Sequence, residues 1–280
     1  MPGLSGAQIA QDHETLLADI AGTQTEPNRA AFWWMGQHTI IVKAGDKVVY
    51  IDPWFPDWES RQTRPLLTPF EAKYADLVLI THGHGDHLCP ETLPFMVEAS
   101  PKALFVGPRT ETERLLGECH IPANRLKTMN AGETFSHYGI RVTAIKSKHE
   151  MFDEHPTLGF PYLGYVVEAN GVTLYHAGDT IPYEGMLTTL RQWPHFDALF
   201  LPINGRDATR YLSGCYGNMT FQEAVELAGE LEPSLVVPAH YDMFVGNQED
   251  PDKFIGFLKA KYPSVPYWAG AAGTRVEIGR

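Results

Sequence analysis

Three histidines and an aspartate fall within six residues in His82-Gly-His84-Gly-Asp86-His87, directly after the apolar run Leu77-Val-Leu-Ile80-Thr81. Imidazole and carboxylate are donors that divalent ions take from proteins, and a strand ending on several of them is the usual form of a metal site. The spacing of His82 and His84 suits two ligands on one ion. The adjacent Asp86 and His87 suit a second ion beside it. Gly83 and Gly85 are expected to let the backbone turn tightly so that these side chains converge. An ion pair needs more ligands, and three further apolar runs supply them. Val142–Ile145 leads to His149, Thr173–Tyr175 leads through Gly178 to Asp179, and Leu235–Ala239 leads to His240. His155 lies six residues beyond His149 and is an alternative to it.

Other residues gather around these. Asp52, between the run Val48–Ile51 and Pro53, is placed to orient a ligand imidazole through its second nitrogen. His176, three residues before Asp179, reads as a supporting side chain rather than a ligand. Pro202-Ile-Asn204-Gly-Arg206 follows another apolar run, which makes Asn204 and Arg206 candidate substrate contacts. Arg206 is expected to clamp an anionic group through its guanidinium fork, with pairing to Asp207 as the competing role. Trp54, Phe55 and Trp58, in an unpatterned stretch over 54–68, read as a lid over an organic ring, with core packing as the rival for Trp54. Imidazole and carboxylate suffice for this chemistry, so Ser213 and Cys215 are not read as nucleophiles.

The elements that must position these groups are short. β-rich runs are expected at Thr39–Lys43, Val48–Ile51, Leu77–Thr81, Ala103–Val106, Ile140–Ile145, Gly164–Glu168, Val172–His176, Ala198–Leu201, Leu235–Pro238 and Arg275–Ile278. Asn170-Gly171 signals a hairpin turn, because both central residues of that turn need positive φ. Helices are expected over Thr110–Cys119, Tyr183–Trp193, from the capping box Thr220-Phe-Gln-Glu223 to Leu231, and from Asp250-Pro251 to Tyr262. Strands come first and strand–helix alternation follows, with a second similar half after about residue 139. One domain over residues 31–280, with helices covering two sheets, fits this order. Residues 1–30 read as an appended polar segment with a weak helical pattern through Ile9, Leu16, Leu17 and Ile20.

Composition narrows the function classes. The 280 residues are 44% hydrophobic and 20% charged, which is globular and excludes a disordered chain. The net charge of −12 disfavours nucleic acid and anionic membrane as partners. A small-molecule substrate is expected instead, with a homo-oligomer left open. The 3 cysteines form no CxxC, and the N-terminus lacks a basic segment followed by an apolar stretch, so a cytoplasmic location is expected. The 12 histidines are the unusual count.

The motif His82-x-His84-x-Asp86-His87, followed by a lone histidine, a Gly-Asp and a late histidine, resembles the signature of the metallo-β-lactamase superfamily from roughly Phe32 onward. Within that superfamily, Trp33-Trp34-Met35-Gly36, Tyr50-Ile-Asp52-Pro53-Trp54, Tyr175-His-Ala-Gly-Asp-Thr180, Gly217-Asn-Met-Thr220 and Val237-Pro-Ala-His-Tyr-Asp242 are similar to the L-ascorbate-6-phosphate lactonase family. This chain is shorter than the lactonases proper. The resemblance implies an α/β fold, an αββα sandwich of two mixed sheets flanked by helices, with the metals at one edge. It implies one ion on His82, His84 and His149, another on Asp86, His87 and His240, and Asp179 bridging them.

Two such ions, ~3.5–4 Å apart, share a water and lower its pKa toward 7, and the resulting hydroxide attacks a carbonyl or phosphorus. Asp86 and His240 are the catalytic candidates, with Asp86 holding the hydroxide and accepting its proton. The donor set suits zinc, iron or manganese. Its carboxylates and the resemblance favour manganese, with zinc the alternative. The expected activity is hydrolysis of a small anionic molecule, a sugar-acid lactone, phosphorylated forms included. The alternatives are a phosphodiesterase or nuclease, and a non-catalytic metal-binding protein on the same scaffold. The acidic chain shows no RNA-binding element, and every expected ligand type is present, which counts against both.

Overall fold

The computed structural model describes residues 13–279, so Ile9 of the expected N-terminal helix lies outside the described residues. The strands are β1 (Arg29–Trp34), β2 (Ile40–Ala44), β3 (Lys47–Ile51), β4 (Leu77–Leu79), β5 (Leu104–Pro108), β6 (Leu126–Met129), β7 (Thr134–His137), β8 (Ile140–Lys146), β9 (Leu163–Ala169), β10 (Val172–His176), β11 (Ala198–Pro202), β12 (Val236–Ala239) and β13 (Arg275–Gly279). The helices are α1 (His13–Gly22), α2 (Leu93–Ala99), α3 (Thr112–Gly117), α4 (Met186–Leu190), α5 (Ala208–Leu212), α6 (Phe221–Leu231) and α7 (Pro251–Lys261). The strands form two sheets, ordered β13-β1-β2-β3-β4-β5-β6 and β12-β11-β10-β9-β8-β7. Each is a mixed sheet. In the first, β13 through β3 pair antiparallel and β3 through β6 pair parallel. In the second, β7 through β10 pair antiparallel and β10 through β12 pair parallel.

Alternation along β1 shows how the layers are built. Phe32 and Trp34 join a core with the second sheet, where Phe32 meets Phe200 edge-on at 5.0 Å. Ala31 and Trp33 point the other way, into a core with Leu16 and Ile20 of α1, Met96 of α2 and Leu115 of α3. On the far face of the second sheet, Leu190 of α4, Val225 of α6 and Phe254 of α7 complete the outer layer. The arrangement is an α/β sandwich of two mixed sheets flanked by helices.

The capping box at Thr220 forms, with Glu223 answering Thr220, and Asp250 caps α7 with Pro251 in the first turn. Asn170 and Gly171 both take positive φ in the β9–β10 hairpin. Two expectations are corrected. Residues 13–22 are no appendage: Leu16, Leu17 and Ile20 are buried under the first sheet, and Asp19 receives the Trp33 indole N–H and the Arg275 guanidinium. β1 also straddles the expected boundary after residue 30. Trp54 and Phe55 are no lid; both are buried, and Arg61 stacks over Trp54 at 4.2 Å. Among the described residues, no helix is long and apolar enough to cross a membrane.

Candidate metal centre

The site forms where strands of one direction end. β1, β3 and β4 of the first sheet run the same way, and Gln37, Asp52 and His82 follow them. In the second sheet β8, β10, β11 and β12 share one direction, and His149, Asp179, Asn204 and His240 follow them. Loops at the C-terminal ends of parallel strands are the general location of ligand sites in such sheets. Gly178 takes φ +61 just before Asp179, and a Cβ there would stand 2.5 Å from the Leu163 carbonyl oxygen. The expected tight turn forms, with the His87 and Leu88 N–H groups donating to the His84 carbonyl oxygen at 3.0 and 2.8 Å, but it asks no left-handed backbone of its glycines. Neither takes a positive φ. Instead a Cβ on Gly83 would meet Glu111 at 2.6 Å and Arg114 at 2.9 Å, while one on Gly85 would stand 3.4 Å from the Trp58 ring.

The seven expected ligands are brought together. The ligand atoms of His82, His84, His149 and Asp179 lie within 4.8 Å of one another, as do those of Asp86, His87 and His240. Asp179 stands between the groups. Its Oδ1 is 3.4 Å from His87 Nε2, and its Oδ2 is 3.1 Å from His240 Nε2 and 3.8 Å from His149 Nε2. Asp86 Oδ2 is 3.5 Å from His87 Nε2 and 3.7 Å from His240 Nε2. His155 is elsewhere, in an exposed turn where its Nδ1 accepts from the Thr157 and Leu158 N–H groups. His149 is therefore the histidine of that pair that reaches the cluster.

The far nitrogens of the imidazoles are held from behind. Asp52 takes three donors: His87 Nδ1 at 2.7 Å, the Thr81 hydroxyl at 2.7 Å and the Thr81 N–H at 2.8 Å. His82 Nδ1 lies 3.0 Å from that same hydroxyl, and His149 Nδ1 lies 3.1 Å from the Gly217 carbonyl oxygen. His176 uses both ring nitrogens on backbone, accepting from Gly178 N–H and bonding the His38 carbonyl oxygen. It therefore supports the Asp179 turn and is not free to ligate.

Two residues that sequence reasoning passed over also stand here. Gln37 Nε2 lies 2.8 Å from Asp86 Oδ2 and 3.0 Å from His240 Nε2. His38 Nδ1 lies 3.4 Å from Asp179 Oδ1, and its ring packs on His176 at 4.0 Å. The available signal was their place in Met35-Gly36-Gln37-His38, polar residues directly after an apolar run, as at the other strand ends.

The electrostatics suit cations. Burial keeps His82 well below its usual range and pushes His149 and His38 down to about 4, so these rings are neutral. Burial opposes charge on His87 too, yet Asp179, Asp86 and Asp52 lift it to about 10. Against burial, His240 and His87 hold Asp179 well below the carboxylate range. His87 Nε2 is buried and has no hydrogen-bond partner among the described residues. A buried ring nitrogen on His87 with no hydrogen-bond partner, ionised carboxylates that draw positive charge inward, and neutral imidazoles on His82 and His149 are together the chemistry that divalent ions require.

A cavity of about 450 Å³ opens over the centre, bordered by His84, Asp86, His149, Asp179 and His240 on one side. Its other walls come from the segments 213–218 and 244–247 and from Asn204. Asn218 donates to Asn204 and Asn204 to Asn247, at 3.2 and 2.7 Å. Ser213 and Cys215 border the cavity, and burial pushes the Cys215 thiol up, away from a thiolate. Among the described residues, no lysine or arginine lines it. Arg206 is not brought to the cavity. Its guanidinium grips both oxygens of Glu223 at 2.6 Å and donates to the Asn218 carbonyl oxygen at 3.0 Å. The competing partner expected for it, Asp207, instead caps α5 and pairs with Arg210. Lys146 is also turned away, its ammonium 4.8 Å above the Phe152 ring.

Comparison with known proteins adds a family to this geometry. The family model described as "Beta-lactamase superfamily domain" matches residues 47–241. A UPF0173 metal-dependent hydrolase of Methanoculleus marisnigri is 31% identical over 249 residues, 88% of this chain and 96% of that protein. One from Thermococcus kodakarensis is 28% identical over 78% of this chain and 87% of its own length. Among solved structures, Igni18, a metallo hydrolase from Ignicoccus hospitalis, superposes with a TM-score of 0.68 at 22% identity, covering 89% of this chain and 98% of that one.

Proposed function

The chain belongs to the metallo-β-lactamase superfamily, and from that premise we propose that it is a dinuclear metal-dependent hydrolase of a small molecule. The observation that carries the reading is the convergence of seven donor side chains into one cluster, five of which border an open cavity. His82, His84 and His149 would hold one ion, Asp86, His87 and His240 the other, and Asp179 both. Manganese is the favoured metal and zinc the alternative. Bound divalent ions supply Lewis acidity and lower the pKa of water at the site toward neutrality.

The chain's own groups do the rest. Asp86 is an ionised carboxylate that borders both the cluster and the cavity. With Oδ2 turned to His87 and His240, its other oxygen is the acceptor for the proton of an attacking water. His240 borders the cavity beside it. Asn204, fixed between two other carboxamides, offers orientation to polar substrate groups. The cation-free lining shifts the substrate expectation. A sugar-acid lactone remains the favoured class, and an uncharged, hydroxylated one fits these walls better than a phosphorylated one.

Metal analysis of the purified protein should give two equivalents per chain. Lactones, phosphodiesters and β-lactams assayed with manganese and with zinc should then show turnover of neutral lactones. One equivalent at full activity refutes the dinuclear reading, and turnover of phosphodiesters alone refutes the lactone.

A further inference from the structure

Gln37 is almost fully buried, and its backbone is in the left-handed region at φ +52, directly after Gly36 at φ +90. The surroundings hold it there. Its N–H donates to Asp242 Oδ1 at 2.9 Å, and its carbonyl oxygen accepts from the Trp34 indole at 3.0 Å and from the His240 N–H at 2.8 Å. A non-glycine residue in this conformation persists only where its surroundings over-determine it, commonly at functional sites. The backbone is thus tied to the segment carrying His240, and the side chain is aimed at the cluster.

The position of the carboxamide among the donors is informative. A group that merely steadied Asp86 from outside would bond the oxygen turned away from the other ligands. Gln37 Nε2 instead bonds Oδ2, the oxygen that faces His87 Nε2 at 3.5 Å and His240 Nε2 at 3.7 Å. It also lies 3.0 Å from His240 Nε2, the nitrogen that faces Asp179 at 3.1 Å. The head of Gln37 is therefore spaced from these donors much as they are from one another. A hydrogen bond to His240 Nε2 would use the lone pair that a cation takes. The two ends of a carboxamide exchange by rotation about one bond. An N–H₂ end suits a cluster of carboxylates, and a cation among them repels that end and attracts the oxygen.

We propose that Gln37 is a further protein ligand of the ion held by Asp86, His87, His240 and Asp179, its carboxamide turning so that Oε1 stands where Nε2 is now. The proposal rests on the dinuclear reading. Its consequence is a second site with a harder donor set, three side-chain oxygens and two nitrogens, which favours manganese over zinc. One coordination position that would otherwise be open to substrate is filled by the chain itself.

The test is a titration of metal-free protein with manganese against a competing fluorescent chelator, comparing wild type with Gln37→Leu, Gln37→Asn and Gln37→Glu. Leucine offers no donor and asparagine is a methylene too short. Both should weaken the second ion by about tenfold or more while the first keeps its affinity. Glutamate supplies a carboxylate oxygen and should tighten it. A Gln37→Glu variant that loses the second ion as Gln37→Leu does overturns the proposal, because that is how loss of an outer N–H donor would behave. Wild type that takes only one ion fails the dinuclear reading itself, a separate outcome. A manganese-loaded crystal structure gives an independent readout. The Gln37 carboxamide is expected in bonding contact with the second ion, and a carboxamide left beyond that reach also overturns the assignment.

Discussion

Asp52→Asn probes whether the imidazoles are held in the tautomer that ligation needs. Asp52 is fully buried, and as a carboxylate it accepts three hydrogen bonds, from Thr81 N–H on one oxygen and from the Thr81 hydroxyl and His87 Nδ1 on the other. Asparagine is isosteric but must place an N–H₂ at one of these positions. Placed toward Thr81 N–H, it sets two donors face to face in the interior, a loss of about 1–3 kcal/mol of stability. Placed toward His87, it forces Nδ1 to accept, which moves the ring proton to Nε2, the nitrogen that faces Asp86 and Asp179. The lone pair needed for a metal is then gone. Losing such an orienting partner typically lowers metal affinity by about 10–100-fold, or about 1.4–2.8 kcal/mol. The effect should be unequal between the ions. His87 contacts Asp52 directly, whereas His82 reaches it only through the Thr81 hydroxyl, which can still accept after the change. The second ion should weaken by the full amount and the first by less than about tenfold. Stepwise titration with a competing chelator measures both constants, and a thermal melt of the metal-free protein measures the stability loss. Wild-type affinity for both ions together with an unchanged melting temperature would refute the tautomer argument.

Two further outcomes follow from the charges and contacts at the site. In metal-free protein at pH 7, His87, lifted to about 10 by Asp179, Asp86 and Asp52 against its burial, carries a proton, and His240 is raised in the same direction. Burial holds His82 and His149 neutral. The second ion must therefore expel a proton that the first need not, so its affinity should fall as pH drops while the first ion stays bound until its own histidines titrate. Calorimetry in buffers of differing ionisation enthalpy should find proton release concentrated in the second binding step, and equal release in both steps contradicts the assignment. Arg206→Ala should lower the melting temperature modestly, because the partly exposed pair with Glu223 stabilises by only about 1 kcal/mol. Its effect on kcat/KM should be equal for charged and neutral substrates, and a selective loss on a phosphorylated substrate would return Arg206 to substrate binding.

The candidate ligand positions stand out in the sequence because their chemistry is locally distinct. An apolar run that ends on histidine or aspartate is distinct in composition, and several such runs in one chain leave few readings other than a metal site. Arg206 misled because nearness in sequence to a strand end does not fix direction. After β11, Asn204 turns into the cavity wall, while Arg206 turns outward and completes the network in which Glu223 also caps α6. β6 and β7 went unread for a different reason. They are the outer strands of their sheets, short and only partly buried, so Leu126–Met129 and Thr134–His137 carry little apolar alternation. α2 is only 7 residues long and has no side-chain cap, so it offers too little periodicity to be read from the sequence.

Gln37 and His38 were illegible for a reason that also explains the architecture. Glutamine is an uncommon metal ligand, and the conformation that aims it inward is one that propensity does not assign to it. Asp52 at φ +47 and His240 at φ +59 share that conformation, each directly after a strand that points at the centre. Residues in this region cost about 1–3 kcal/mol apiece where they are strained. Three of them where the strand ends of the two sheets meet therefore draw on stability supplied elsewhere, by the core between the sheets and the layers outside them. The left-handed step reverses the chain at the end of a strand, so the side chain at the reversal is delivered to the edge. Sheets that run several strands in one direction can place many such reversals side by side, and here they bring Gln37, Asp52 and His240 to a single cluster from β1, β3 and β12.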